Sequence, residues 1–415
     1  MATLTGTDFR PARPWPSLIG LGAQLNRLLL RRHTVLDIRP ADLTLLRDLP
    51  PGCLIAPNHA HYSDPQVIFE LARRAGRRLV YMTTREAFDS WGGSAGWFLQ
   101  HLGAFSVNRG GTNEEARQFA RAILVSGVYD LAMFPEGEIY LLNDLIMPLK
   151  PGAARLALEA TIELRRQGRP RPVLIVPLAI KYRYAGDISA TLEERTARLE
   201  SQMLGGRRAG PLYPRIVALG TELLSRAEQR YGVTPDPGAD LFQRVHRLRQ
   251  ILLEGLERKH LGRVQDGFDF DRARKLMIRI QGQLLGKRGA PGYYDAPTAP
   301  ADDPMTADLE AANLCARSVA FHDDYLAEHP TPERMAETLA KLEREVLGKQ
   351  IRSPLAKRRA IVRIAQPLDI REYLAKEKAS ASLDEVIEAV VVRLHDTLQS
   401  TLDAISRQEA RGSQG

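Results

Sequence analysis

The sequence predicts an α/β protein: a mainly parallel sheet flanked by helices, with a large all-helical insertion before the last strand. Three observations carry that expectation. Short apolar runs alternate with helical patterns over residues 35–186, the pattern becomes almost purely helical from about 188 to 350, and one more apolar run, Ala360-Ile361-Val362-Arg363-Ile364, follows. Strand and helix in alternation give a parallel sheet covered on its faces; the helical block is an insertion if the late strand completes the same sheet. The expected divisions are an amphipathic helix in 1–34, an α/β core in 35–186, a helical insertion in 187–355, and a last strand and helix in 356–415.

The first element spans Ser17 to Arg32, with Leu18, Leu21, Leu25, Leu28 and Leu29 on one face and Gln24, Arg27 and Arg31 towards the other. Such a helix, preceded by Trp15, suits either an anionic bilayer surface or one face of the sheet. Strands are expected at Val35–Ile38, Cys53–Pro57, Leu79–Thr83, Ala104–Asn108, Leu131–Phe134 and Val173–Ile180. Between them, Trp91 to Leu99 places two tryptophans among small residues, read as core packing, with an interfacial or acyl-chain contact as the alternative. In the insertion, helices are expected at Leu192–Met203, Leu241–Lys259, Asp271–Leu285, Asp308–Leu326 and Pro332–Leu347, the last capped by Thr331. The proline-rich stretch from Gly286 to Pro304, containing Tyr293 and Tyr294, reads as a loop or hinge. The final helix, Ser382 to Ile405, should bury Leu383, Val386, Ile387, Val390, Leu394 and Leu398.

Two motifs lie at strand ends. Asn58-His59-Ala60-His61-Tyr62-Ser63-Asp64 follows the second strand, and Ser63-Asp64-Pro65 reads as a helix start with proline at its first position. His59 then lies in the turn and Asp64 near the helix N-terminus, close enough for the carboxylate to bond one imidazole nitrogen and leave the other free as a base. The plainer reading makes Asp64 a cap and His59 a turn residue. Phe134-Pro135-Glu136-Gly137 ends a later strand, and Gly137 permits unusual backbone angles. Between the two, Arg109 follows the strand ending at Asn108 and is suited to a two-pronged grip on a phosphate. Motifs at the carboxyl ends of parallel strands sit where such sheets bind ligands.

With these four elements in order, His59 with Asp64, Arg109, the Phe134–Gly137 block and the apolar strand broken by Pro177, the sequence resembles the glycerolipid acyltransferase family over roughly residues 35 to 185. The resemblance implies that the late strand completes the same sheet, which makes the helical block an insertion. It implies transfer of an acyl group from a thioester, on coenzyme A or acyl carrier protein, to a hydroxyl of a lysophospholipid or related lipid. It implies His59 as general base, Asp64 as its orienting partner, Asn58 and Arg109 as substrate contacts, and Glu136 with Gly137 as the acceptor-site loop. The family commonly carries an arginine shortly after the Gly137 position, where this chain has Glu138-Ile139. Lys150, at the start of the helix that follows, either supplies positive charge in its place or is a surface lysine. No cofactor or metal is expected beyond the thioester co-substrate. Two alternatives stand beside this reading: a lipid-binding scaffold whose site has drifted, and an acyl-thioester hydrolase that uses water.

Composition sets the outer bounds. A chain of 415 residues, 44% hydrophobic and 26% charged, is long enough for two or three folded units. Its net charge of +8 points to an anionic partner such as a membrane surface, coenzyme A or acyl carrier protein. Basic and acidic residues are interspersed and no nucleic-acid module is legible, so nucleic acid is not expected. No apolar run reaches membrane-spanning length, and a cytoplasmic protein, peripheral on the inner face of a membrane, is the expectation. The two cysteines, Cys53 and Cys315, fall in predicted buried elements, with no partner at metal-ligand spacing.

Overall fold

The computed structural model describes residues 9–108, 113–169, 171–285, 304–322, 324–348, 353–376 and 382–412. The chain forms two compact units, Met1–Ala185 with Lys357–Gly415, and Gly186–Ala356. Arg109 and the Tyr293-Tyr294 stretch lie outside the described residues.

The first unit runs α1 (Pro16–His33), β1 (Thr34–Ile38), α2 (Pro40–Asp48), β2 (Leu54–Pro57), α3 (Asp64–Ala75), β3 (Leu79–Thr84), α4 (Arg85–Asp89), α5 (Ser94–His101), β4 (Ala104–Val107), α6 (Glu114–Ser126), β5 (Asp130–Ala132), α7 (Gly152–Arg166) and β6 (Leu174–Tyr184). The second unit holds α8 (Ser189–Met203), α9 (Leu212–Arg230), α10 (Leu241–Leu261), α11 (Asp269–Leu285), α12 (Pro304–Ser318), α13 (Tyr325–Glu328) and α14 (Pro332–Leu347). The chain then returns to the first unit as β7 (Arg358–Ile364), β8 (Leu368–Asp369), α15 (Ile370–Lys376) and α16 (Leu383–Gly412).

The strands form one sheet in the order β1-β7-β6-β2-β5-β3-β4, with β8 also on β6. From β6 to β4 all neighbours are parallel, whereas β7 runs antiparallel to β6 and carries β1 parallel to itself. β7 and β8 follow β6 in turn, Ile364 opposite Leu178 and Leu368 opposite Ile175, with Gln366-Pro367 interrupting the ladder because proline donates no hydrogen bond. Both faces of the central strands are covered: every residue of β2 and β5 is buried, as sheets between two helical layers require. Along β6 the alternation sorts the core. Ile175 and Ala179 face the layer containing Leu124, Leu158, Leu164, Val390, Leu394 and Leu398, while Val176, Leu178, Ile180 and Tyr182 face Val67, Ile68 and Leu71 of α3.

Several expectations need correction. Leu383 stands 43% exposed at the start of α16, ahead of the buried run that opens at Val386. Trp97 is 46% exposed beside Phe98, so the core-packing reading fails for it; its ring sits against Trp15 and His101 on the surface. The strand expected to reach Phe134 ends at Ala132, ahead of Pro135. The strand expected to end at Ile180 runs on to Tyr184, held by β7. The helix expected from Asp308 to Leu326 breaks after Ser318 and resumes for one turn behind Asp324, which takes a left-handed φ of 38°. α9 has no counterpart among the expected helices, and Pro214 falls within it. That proline lies in the first turn, where its missing N–H breaks no helical bond.

The second unit is a helical assembly with its own core, including Leu199, Leu219, Leu253, Leu276, Ile280, Ala312 and Leu339. Two ion pairs are buried in it, Arg215 with Glu200 at 2.7 Å and Arg272 with Glu257 at 2.9 Å, while the buried Lys341 donates to Ala320 O at 2.7 Å. Asp240 and Gln243 close a reciprocal capping box on α10, and Thr331 caps α14 as expected.

Candidate active site

The carboxyl ends of β2, β5 and β6 and the amino end of β7 meet at one edge of the sheet, and the two strand-end motifs come together there. β2 delivers Asn58 and His59. The turn through Ala60 to Ser63 closes through the Asp64 N–H, which donates to His61 O at 3.0 Å. α3 then starts at Asp64, with Pro65 in its first turn.

His59 Nδ1 lies 2.9 Å from Asp64 Oδ2, and the ring stacks on Phe134 with centroids 3.9 Å apart. The carboxylate is fully buried and accepts from two further donors: the His61 backbone N–H at 2.7 Å on Oδ2, and the Tyr182 hydroxyl at 2.5 Å on Oδ1. Three donors fix the carboxylate, which in turn fixes the imidazole with its proton on Nδ1. No partner among the described residues takes Nε2, so that nitrogen keeps its lone pair and is able to accept a proton. The imidazole side chain is 13% exposed.

Glu136 departs from its expected role. One carboxylate oxygen accepts the His59 backbone N–H at 2.7 Å and the other the Met147 N–H at 3.2 Å. It ties the histidine turn to the chain beyond the Phe134–Gly137 block instead of presenting itself to an acceptor. Burial, opposed by those two bonds, raises its carboxyl to about 7, and the nearby Asp64 carboxylate adds to the rise. Asn58 departs likewise. Its amide donates to Ile180 O at 3.0 Å and accepts from Ile180 N at 2.7 Å, a clamp that extends the β2–β6 pairing past the end of β2. Gly137 is exposed at φ 71°, and a side chain there would abut Lys150 Cγ at 3.4 Å. Lys150 reaches the same loop, its N–H donating to Pro135 O at 2.7 Å. His59, Asp64, Glu136, Gly137 and Lys150 therefore cluster, and Asn58 supports them from below.

Sequence reasoning missed a second row of residues. Tyr182 continues the alternation Leu178, Ile180 on β6, and that period-two pattern was the available signal. Asn143 clamps the Tyr182 backbone as Asn58 clamps Ile180, at 2.9 and 2.7 Å. Arg358 opens β7, only 4% exposed. Its guanidinium lies 3.7 Å over the Tyr182 ring and donates to His61 Nδ1 at 2.9 Å. Burial first, and then the Arg358 charge, hold His61 neutral, down to about 2. No sequence signal links Arg358 to Tyr182, because some 176 residues separate them and only the sheet order joins them.

Both thiols are buried, and burial pushes Cys53 and Cys315 up to about 12. No helix among the described residues is long and apolar enough to cross a membrane. Against known proteins, residues 42–181 match the model of the family described as Acyltransferase, about a third of the chain. No curated protein matches the chain.

Proposed function

We propose that residues 42–181, a domain of the acyltransferase family, move a fatty acyl group from an acyl thioester, on coenzyme A or acyl carrier protein, to a hydroxyl of a lysophospholipid or related lipid. The observation that carries this reading is the His59 imidazole held through Nδ1 by the fully buried, triply bonded Asp64, with Nε2 unpartnered among the described residues. In this mechanism Nε2 takes the acceptor hydroxyl proton as the oxygen attacks the thioester carbonyl carbon. The new C–O bond forms, the C–S bond breaks, and the departing sulfur recovers the proton from the imidazolium. Atoms and charge balance without any covalent bond to the protein.

Asp64, Tyr182 and Arg358 act through His59 as positioning residues. Lys150, over the glycine of the Phe134–Gly137 turn, is the cation assigned to an acceptor's anionic group, since Glu138 and Ile139 follow that turn. The lipid-facing surface is assigned to α1. Leu21, Leu25 and Leu28 are 67%, 55% and 58% exposed there, and with Trp15, Trp97 and Phe98 they leave an apolar surface on the first unit that suits the face of an anionic bilayer. That placement makes the enzyme peripheral.

The test is thiol release from long-chain acyl-CoA and acyl carrier protein thioesters across a panel of lysophospholipids and other hydroxyl lipids, with product lipids identified by mass. Release that requires one class of acceptor, with the acyl group recovered on it, supports transfer. Release at the same rate without any acceptor makes the protein a thioester hydrolase, and lipid binding without release makes it a scaffold.

A further inference from the structure

A cleft of about 300 Å³ opens on the first unit between α1, the start of β1, α3 and the residue before β7, lined by Arg27, Arg31, Thr34, Glu70, Arg74 and Lys357. Its charge is unbalanced. Glu70 is the only carboxylate among its lining residues, and both oxygens are committed: one to Arg73 Nε at 2.7 Å, the other to Arg74 Nε at 2.9 Å and Arg73 Nη2 at 2.8 Å. Among the described residues, Arg27, Arg31 and Lys357 have no carboxylate partner, and the buried Arg27 Nε has no hydrogen-bond acceptor. Arg27 and Arg31 stand four residues apart on α1, where like charges disfavour the helix. Arg31 lies in the last turn and is eased by the helix dipole, but Arg27, a turn earlier, is not.

A fold that holds three uncompensated cations around one cleft, one of them with a desolvated and unused donor, is arranged for an oxyanion that supplies both the charge and the acceptor atoms. Guanidinium groups match the tetrahedral oxygens of phosphate in a fork, and a lysine adds a point charge. We infer that this cleft binds a phosphate group, as a monoester or diester, through Arg27, Arg31 and Lys357. The same chemistry is offered by a phospholipid headgroup and by a soluble phosphate compound. The inference concerns binding alone and stands apart from the acyl-transfer reading, because none of the three cations belongs to the His59 cluster.

The experiment is calorimetric titration of the full chain with inorganic phosphate at low ionic strength, for wild type, Arg27→Gln/Lys357→Gln, and the charge-matched control Arg47→Gln/Arg166→Gln. Wild type and control should bind alike, and the cleft variant should lose at least tenfold in affinity. Equal binding by all three, equal loss in both variants, or no binding by wild type overturns the site. If the double variant fails to fold, Arg31→Gln alone should show the same selective loss. Flotation with phosphatidylglycerol and phosphatidylcholine vesicles then separates the sources. Cleft-dependent binding to the anionic vesicles that free phosphate displaces assigns a headgroup, and phosphate binding with vesicle binding unchanged in the cleft variant assigns a soluble ligand.

Discussion

At the scale of single residues, the arrangement depends on how Asp64 is satisfied. Tyr182→Phe removes the 2.5 Å bond to Oδ1 and leaves that oxygen buried, while the His59 and His61 bonds remain. Such a loss costs about 1–3 kcal/mol, so acyl transfer should fall by roughly one to two orders of magnitude in kcat, with KM for the donor little changed. Steady-state kinetics check this, and an unchanged kcat removes Tyr182 from the mechanism. Glu136 makes a pH prediction. Its carboxyl rises from 4.5 to about 7 on folding, so the native state binds a proton more tightly than the unfolded chain. Its contribution to stability is therefore fully present below pH 4.5 and lost as pH rises through about 7. Glu136→Gln, which does not titrate, should weaken that fall by on the order of 3 kcal/mol, read from urea unfolding at a series of pH values. Gln also points an N–H at one of the two backbone N–H groups that Glu136 accepts, so activity should drop at every pH. The His59–Asp64 pair was legible in sequence because both partners fall within one turn. Tyr182, Asn143 and Arg358 were not, because their proximity is created by strand order and has no local signature.

At the scale of elements, two amide clamps hold β6: Asn58, at the end of β2, on Ile180, and Asn143, in the segment between β5 and α7, on Tyr182. Asn58→Ala leaves a buried N–H and a buried C=O of Ile180 without these partners, and should destabilise the first unit by about 2–4 kcal/mol. Denaturant unfolding measures that loss, and a change under 0.5 kcal/mol, roughly the size of a neutral surface substitution, contradicts the clamp. The sequence set Asn58 beside His59 but did not tell which way its amide points, since a strand end offers both solvent and a neighbouring strand. α1 poses the same problem. Its leucine stripe was plain, yet an amphipathic stripe marks an apolar face without saying what covers it. The structure buries Ala23 and Leu30 instead and leaves Leu21, Leu25 and Leu28 outside. Leu21→Gln/Leu25→Gln/Leu28→Gln should therefore keep the melting temperature within a few degrees while abolishing flotation with anionic vesicles. Loss of stability without loss of flotation would show the stripe to be core.

At the scale of the whole molecule, the alternation of strands and helices, the helical block and the late strand were all readable, because each is a change of periodicity over tens of residues. The reversal at β7 was not, since pattern alone does not give strand direction. A separate core in Gly186–Ala356 predicts local sensitivity. Leu339→Ala, at a fully buried position, should cost about 2–5 kcal/mol and lower hydrogen-exchange protection through α14 and the helices it packs on, α8 and α9. β2, β5 and β6 should keep theirs, and uniform loss across the chain would contradict separate cores. The most direct measurement for the central claim is kcat for acceptor-dependent acyl transfer by wild type and His59→Ala at saturating donor and acceptor, with unfolding midpoints compared alongside. The account predicts a loss of roughly 10²- to 10⁴-fold in kcat with matching midpoints, and turnover by the folded variant at the wild-type rate would contradict it.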